Sequence, residues 1–272
     1  QKGHGGNSTT KGGAKPSRRP RWARMRNQKR LIIPYRGTIP CSLGRLKTMK
    51  SQQTPISIDT CRVCLVRHGE TAWNTERRLQ GHIDIPLNDT GLSQAEATAR
   101  SLARAGLRFS ALYSSDLERA RQTAAAIARA HALPPQHDPR LRERHYGHFQ
   151  GLTFDEAEHR HPENFRRFKA RDPHFALPDD GESLKTLAAR VHAALEDIAR
   201  EHAGETVVVV THGGVLDIAH RLATGQALQT ARAFAIPNAA LNWIEHTAGS
   251  WKLIAWADES HLQGALDELP DT

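Results

Sequence analysis

Long apolar runs are missing from this 272-residue sequence. Hydrophobic residues make up 38% of the chain, but they occur in short stretches that charged and polar residues interrupt. A membrane-spanning helix needs about 18 or more consecutive apolar residues. The sequence therefore predicts neither a membrane span nor a membrane partner.

Cysteine is also scarce, with three residues in the whole chain. So few cysteines, and an odd number of them, favour a reducing compartment, so we expect the protein in the cytoplasm. Cys61 and Cys64 have the spacing of a redox motif, but they lie in an apolar run typical of a strand. Redox motifs acquire their low thiol pKa at a helix N-terminus. We expect both cysteines to be small buried core residues.

Acidic residues are absent from residues 1–50, which hold 14 of the 38 Lys and Arg and none of the 29 Asp and Glu. We expect a disordered basic tail over residues 1–55, a folded domain over 56–260 and an acidic tail over 261–272. Basic tails can bind nucleic acid or direct a protein to an organelle. Because Met49 directly precedes the first orderly sequence, we expect this tail to be inert or to lie outside the natural product.

From residue 61, short apolar runs alternate with amphipathic segments, which is typical of a layered α/β domain. The apolar runs predict strands over 61–66, 110–114 and 207–210 and an antiparallel pair over 239–246 and 251–256. One helix is expected over 92–104, with Leu92, Ala95, Ala99 and Leu102 on its buried face. A second would follow Ser115, capped by that hydroxyl with Glu118 as its partner, and a third would span 183–202.

Arg or His follows three of these segments where an apolar strand gives way to a polar loop. The three sequences are Arg67-His68-Gly69-Glu70-Thr71, Ser114-Ser115-Asp116-Leu117-Glu118-Arg119-Ala120 and Thr211-His212-Gly213-Gly214. Ligands of open α/β sheets bind beyond the carboxyl ends of the strands, so these side chains are expected around one crevice. Two arginines and two histidines in one small volume indicate an anionic ligand.

The residue types indicate phosphoryl transfer. Arginine forks match the oxygens of a phosphate, and a neutral imidazole can attack phosphorus without first losing a proton. The ester oxygen that leaves needs a proton, which a positioned carboxyl group supplies. Glu143, in Leu141-Arg142-Glu143-Arg144-His145-Tyr146-Gly147, is the best-placed candidate by pattern.

These motifs resemble the histidine phosphatase superfamily, also called phosphoglycerate mutase-like. The resemblance covers about residues 61–257 and rests on the ordered set that begins at Arg67 and ends at Gly214, with Trp73-Asn74, Gln80-Gly81, Pro86-Leu87 and Thr90-Gly91 between them. It implies a three-layer α/β fold in which a mixed, mostly parallel central sheet has helices on both faces. The folded domain would then be the catalytic domain.

The resemblance also implies a role for each matching residue. His68 would be the phosphorylated nucleophile, and Glu143 would be the proton donor and then the base for water. Arg67, Arg119 and His212 would form the phosphate pocket, with Gly213 beside them, and Asn74 and Gly81 would line it. No metal and no cofactor is expected for a phosphatase, and the partner would be a small phosphorylated metabolite.

Two branches of the family remain open. Glu143 to Gly147 resembles the cofactor-dependent phosphoglycerate mutases, in which the residues matching Arg144 and Tyr146 help to bind substrate and 2,3-bisphosphoglycerate is the cofactor. The segment from Glu143 to His212 is shorter than in those mutases, and residues 178–183 resemble the phosphatase branches. We expect a phosphatase, with a mutase as the alternative.

Histidine pairs and tryptophans elsewhere in the chain fit ordinary structural roles. The spacing of His145 with His148 and of His159 with His161 would suit a metal, but no cysteine or carboxylate cluster completes a site, so exposed histidines are expected. Trp243, Trp251 and Trp256 are expected to pack in the core or at its edge.

A function of a different class from phosphatase or mutase also stays open. The chain could be an idle module that binds an anion in the crevice or nucleic acid through the basic tail.

Overall fold

The computed structural model describes residues 57–267, which form one α/β layered body. Its strands are β1 (Thr60–Arg67), β2 (Ala111–Ser114), β3 (Pro135–His137), β4 (Thr206–Thr211), β5 (Leu241–Thr247) and β6 (Ser250–Asp258). They form one sheet in the order β3-β2-β4-β1-β5-β6. The strands from β3 to β1 pair in parallel, and β5 pairs antiparallel with both β1 and β6. The basic tail predicted over residues 1–55 lies outside the described residues, as do residues 268–272.

Helices cover both faces of the sheet. They are α1 (Ala72–Thr75), α2 (Asp89–Arg104), α3 (Glu118–His131), α4 (Phe154–Arg160), α5 (Pro162–Lys169), α6 (Leu184–Glu201) and α7 (Gly213–Thr224). Short 3-10 turns occupy Pro139–Leu141 and Gly147–Phe149. Across residues 57–267, none of the helices is both long and apolar enough to cross a bilayer.

The alternation of side chains along the central strands divides the core in two. Val63 and Leu65 of β1 pack with α6 and α7, whereas Cys64 and Val66 pack with α2 and α3 on the other face. All four valines of β4 are buried, as expected for a parallel strand covered on both sides. The predicted fold class is therefore confirmed.

A third cluster lies apart from these two cores. We call it the aromatic cluster, and its buried members are Leu79, Tyr146, Phe149, Ala157, Phe165, Phe175 and Leu177. Phe154 and Phe168 pack against it, so it joins α4, α5 and the loops around them. This cluster forms a hydrophobic unit beside the carboxyl ends of the strands, where the site is expected.

Most predicted elements are confirmed, with two differences in detail. Helix α2 begins at Asp89, three residues earlier than predicted, because the side chain of Asn88 accepts a hydrogen bond from the Gly91 N–H and caps it. Leu92 is 46% exposed rather than buried. The buried face is centred on Gly91, Ala95 and Leu102, and Leu92 lies at its edge.

Both cysteines in the described residues are free and buried, as predicted. Burial, helped by the charge of Glu205, raises the pKa of Cys61 to about 12, and burial also raises the pKa of Cys64. Trp251 and Trp256 pack against one core and Trp243 against the other, which confirms the packing role expected for them.

Two leucines of α2 provide a matched test of the packing. Leu102→Ala should lower the free energy of unfolding by about 2–5 kcal/mol, because Leu102 is 1% exposed and its loss leaves a cavity against the sheet. Leu92→Ala should change it by about 0.5 kcal/mol or less. Urea unfolding followed by circular dichroism measures both, and equal losses would contradict the placement of α2.

Candidate active site

His68 lies directly beyond the last residue of β1. Its backbone N–H donates to the Thr211 carbonyl at 2.9 Å, which extends the pairing of β1 with β4 by one residue. The ring is 2% exposed, and its Nδ1 lies 2.7 Å from the carbonyl oxygen of Gly69. Because a carbonyl can only accept, Nδ1 carries the hydrogen and the neutral ring keeps its lone pair on Nε2.

The surroundings keep this imidazole neutral. Burial, together with the positive charges of Arg119 and Arg67, holds the pKa of His68 well below 6.5. A neutral ring with a lone pair on Nε2 is the form of histidine that can act as a nucleophile.

Arg67 and Arg119 border the same pocket as His68. Arg67 ends β1 and donates through Nη1 to the Ile236 carbonyl at 2.6 Å. Arg119, in the first turn of α3, donates to the carbonyls of Gly81 and Ile83 at 2.7 and 3.0 Å. Burial lowers the pKa of Arg119 to about 10, against the opposing charges of Glu143 and Asp84, so it stays positive at neutral pH.

Gly81 contributes by shaping the loop that holds Arg119. Its φ is +54°, and a Cβ there would lie 2.1 Å from the side-chain oxygen of Gln150. A residue with a side chain would be strained at this φ and would push the Gln150 side chain aside, so glycine suits the loop that presents its carbonyl to Arg119. This places Gly81 behind the guanidinium, rather than in the pocket wall where the sequence predicts it.

His212 comes from the end of β4 and stands next to His68. Their ring centroids are 5.2 Å apart, and His212 Nε2 lies 2.7 Å from the hydroxyl of Ser115. Burial, followed by the charge of Arg119, lowers the pKa of His212 well below 6.5. The second imidazole is therefore neutral too.

The hydroxyl of Ser115 does not cap α3, so the predicted capping box was wrong. Helix α3 begins at Glu118, and its N-cap residue, Leu117, makes no side-chain capping bond. Ser115 instead contacts His212, two residues before the cap. A serine just before a helix looks the same in the sequence whether its hydroxyl caps that helix or binds a distant residue. Only the position of β4, which brings His212 to Ser115, distinguishes the two.

Glu143 approaches the pocket from the loop before the aromatic cluster. Its Oε1 accepts hydrogen bonds from the backbone N–H groups of Arg144 and Gly214 at 2.7 and 3.0 Å, and its Oε2 shares the Gly214 donor at 3.1 Å. The side chain is thus held by the first turn of α7, immediately after His212. A Cβ on Gly214 would lie 2.3 Å from Oε1, so the approach requires glycine.

One pocket therefore contains most of the predicted residues. We call it the phosphate pocket, and its walls include Arg67, His68, Asn74, Arg119, Glu143 and Tyr146. Asn74 is 1% exposed and is fixed by Thr71, whose backbone N–H donates to Asn74 Oδ1 at 2.9 Å. Arg78 and Gln80, which the sequence does not single out as site residues, also line it.

A second cavity, the adjoining cavity, shares Leu79, Tyr146 and Phe154 with the phosphate pocket. The predicted substrate-binding residues Arg144 and Gly213 lie here, as do three charged residues that sequence reasoning missed: Arg171, Asp217 and Arg232. Arg171 and Arg232 are distant in sequence from the motifs, whereas Asp217 follows Gly214 by three residues, one turn into α7.

The charges of the adjoining cavity are partly paired. Arg171 Nη2 donates to Asp217 Oδ2 at 2.6 Å, and both side chains are less than 10% exposed. Arg144 donates through Nε to the Glu182 carbonyl at 2.9 Å. Arg232 is paired too, with Asp267 at 3.0 Å, whereas the hydrogen bonds of Arg144 go to carbonyl groups, so its charge makes the wall suited to a further negative group.

His159 is exposed, as predicted, but His145, His148 and His161 are partly buried. The rings of His148 and His161 lie 4.2 Å apart between centroids and are tilted by 50°, and His145 Nδ1 accepts the Gly147 N–H at 3.1 Å. Within residues 57–267, no three His, Cys, Asp or Glu side chains are grouped as metal ligands.

An NMR titration tests the state of the nucleophile. Since the pKa of His68 lies well below 6.5, its ring should stay neutral, with the hydrogen on Nδ1, through pH 6. A histidine with an ordinary pKa would be mostly protonated there. Long-range ¹H–¹⁵N correlation spectra report both features, and a midpoint at or above pH 6.5 would contradict the burial argument.

Two plant proteins, one named phosphoglycerate mutase-like and one named a phosphatase, are similar in sequence to this chain. It is 40% identical to phosphoglycerate mutase-like protein 4 of Arabidopsis thaliana over 76% of this chain and 89% of the relative. It is also 40% identical to a metal-independent phosphoserine phosphatase of the same plant, over 78% of this chain and 87% of the relative.

The solved structure of YhfR from Bacillus stearothermophilus matches with a TM-score of 0.67 and 33% identity, over 74% of this chain and 98% of that one. A family model described as histidine phosphatase superfamily, branch 1, matches residues 63–259. These matches confirm the predicted resemblance to this family and the prediction that the chain is a phosphatase. The chain belongs to the histidine phosphatase superfamily, branch 1.

Proposed function

We propose that this chain hydrolyses small phosphomonoesters through a phosphohistidine formed on His68, with no metal ion and no organic cofactor. The observation that carries the proposal is the buried neutral ring of His68. Its Nδ1 binds the Gly69 carbonyl, which leaves the lone pair on Nε2 for the attack. Arg67 and Arg119 share its pocket and provide the positive charge that a phosphate requires.

In the first step, Nε2 of His68 attacks phosphorus while the bond from phosphorus to the ester oxygen breaks. Glu143, acting as the carboxylic acid, gives its proton to the leaving oxygen, and the alcohol departs. Oε2 is the better-placed oxygen for this proton, because it shares one N–H donor while Oε1 accepts two. Arg67 and Arg119 stabilise the charge on the transferring phosphoryl group.

In the second step, the Glu143 carboxylate takes a proton from water as the water oxygen attacks phosphorus. The nitrogen–phosphorus bond breaks, inorganic phosphate forms, and His68 recovers its lone pair. The neutral ring of His212, held by Ser115, lies beside the phosphoryl group in both steps and donates a hydrogen bond to it.

The adjoining cavity supports a substrate whose organic half is also negatively charged. Arg144, whose guanidinium donates to carbonyls, favours a carboxylate there, next to a phosphate in the first pocket. Phosphoserine is the first substrate to test, since one relative is named a phosphoserine phosphatase. We place the enzyme in the cytoplasm, a reducing compartment that suits the free thiols of Cys61 and Cys64.

A phosphoglycerate mutase is the second candidate. Arg144 and Tyr146, the residues that match the substrate-binding stretch of the mutases, both border the adjoining cavity. The idle anion-binding module is less favoured, because His68, Glu143 and the phosphate-binding arginines share one pocket. Nucleic-acid binding by the basic tail stays a prediction about residues outside the described part.

Replacement of the nucleophile tests the central step. His68→Ala should abolish turnover, because no other group described in the walls of the phosphate pocket offers a nitrogen lone pair like that of His68 Nε2. The fold should stay intact. Quenching the wild type in alkaline detergent with ³²P-labelled substrate should trap a phosphoenzyme that is stable in base and labile in acid. Label that persists on the His68→Ala protein would show that another residue is the nucleophile.

A single methyl group tests the role of Glu143. Gly214→Ala should lower kcat about 10²-fold for alkyl phosphates, because its Cβ displaces Oε1 of Glu143 from the first turn of α7. Gly225→Ala, at the other end of α7, is strained by its φ of +67° but meets nothing within 4 Å, so it controls for a loss of stability that does not reach Glu143 and should keep its kcat. Steady-state kinetics measure both, and equal kcat values would contradict the proposed role.

Product analysis separates a phosphatase from a mutase. The enzyme should release inorganic phosphate from phosphoserine or 3-phosphoglycerate at the same rate with and without 2,3-bisphosphoglycerate, and with and without a chelator. The reason is that water accepts the phosphoryl group in every cycle. Interconversion of 3- and 2-phosphoglycerate that outpaces phosphate release and requires the bisphosphate would establish the mutase instead.

A further inference from the structure

Arg190 lies outside the phosphate pocket but holds the segment that carries Glu143. It projects from the second turn of α6 and uses five hydrogen bonds, the full donor capacity of a guanidinium. Nε and Nη2 donate to the two carboxylate oxygens of Glu182 at 2.6 and 2.7 Å. The other three donors bind the carbonyls of Arg140, Arg142 and Glu143 at 2.7–2.8 Å.

Glu182 extends this contact to the other side of Glu143. Its Oε2 accepts the backbone N–H of His145 at 2.9 Å, and its own N–H donates to the His145 carbonyl at 2.8 Å. The side chains of Arg190 and Glu182 are 18% and 15% exposed, so the pair is largely shielded from water. Together they fix the backbone on both sides of Glu143.

The carbonyl of Glu143 itself receives a second donor. His82 Nε2 lies 2.7 Å from it, beside the 2.8 Å bond from Arg190 Nη2. The carboxylate of the same residue is bound by the N–H groups of Arg144 and Gly214. The backbone is thus fixed from α6, and the side chain is fixed from α7.

We propose that Arg190 is a positioning residue for proton transfer by Glu143. The proposal rests on the function of Glu143 argued above. A guanidinium fits this place because its planar fork binds a carboxylate and three carbonyls at once. A lysine ammonium has three donors and cannot maintain all five bonds. When the fork is lost, the Glu143 backbone is free to shift, and the carboxyl group moves away from the leaving oxygen.

The experiment measures how rate depends on the leaving group. Arg190→Lys should lower kcat/KM, which reports the step that releases the alcohol, at least about tenfold for alkyl phosphates, which need a proton on the leaving oxygen. It should lower kcat/KM much less for p-nitrophenyl phosphate, whose leaving group needs little protonation. Glu143→Gln should show the same pattern more strongly. The double variant should be no slower than Glu143→Gln alone, because both changes act on one step.

Arg62→Lys is the matched control. Arg62 donates to Glu245 through Nε and Nη2 at 2.8 and 2.6 Å, in a pair of similar exposure at the start of β1, about 20 Å of extended strand from His68. Its kinetics should match those of the wild type for every leaving group. If Arg190→Lys is unfolded at the assay temperature, Glu182→Gln loosens the same contact and should give the same leaving-group pattern.

The possible results separate the two proposals. Two results would overturn the role of Arg190 and leave that of Glu143 intact. One is an equal loss of kcat/KM in Arg190→Lys for all leaving groups. The other is a double variant slowed by the product of the two single effects. A Glu143→Gln enzyme with no leaving-group dependence would overturn both. Leaving-group dependence in Arg190→Lys that vanishes once Glu143 is replaced supports the positioning role.

Discussion

Backbone carbonyl groups hold the buried guanidinium of Arg119, and the chemistry of the site depends on that choice of partner. Arg119 is 1% exposed and donates to the carbonyls of Gly81 and Ile83. A buried charge is costly unless its hydrogen bonds are satisfied. Carbonyl dipoles satisfy them without cancelling the charge, as a directly bonded carboxylate would. The positive potential therefore remains available to a phosphate, and the same potential keeps the ring of His68 neutral.

The two central strands set the distance between the reacting groups. Arg67 of β1 pairs with Thr211 of β4, so His68 and His212 both follow the last residues of a fixed parallel register. Helix α7 starts directly after His212, and its first turn binds Glu143. His68, His212 and Glu143 are thus connected through two hydrogen-bonded strands and one helix start. The precision of the site derives from rigid elements, although Glu143 itself lies on a loop.

The sequence predicts those parts of the site that depend on local pattern. His68 and His212 follow apolar strands, and the apolar runs over 61–66 and 207–210 identified both strands. Ser115 was misassigned because hydroxyls before a helix usually cap it, and the competing contact to His212 comes from 97 residues away. Arg190 and Arg171 have no local signature, since an arginine on a helix or in a loop is usually solvated. Their roles depend on tertiary contacts that no short window of sequence contains.

The aromatic cluster of α4, α5 and the neighbouring loops packs separately from the two cores that support the sheet. Its members Tyr146, Phe154 and Phe168 also form part of the wall of the adjoining cavity. Tyr146 and Phe154 line the phosphate pocket as well, whereas Phe168 lines the adjoining cavity. A substitution at Phe168 can therefore change the shape of the adjoining cavity while the register of β1 and β4, and with it the placement of His68 and His212, stays as it is.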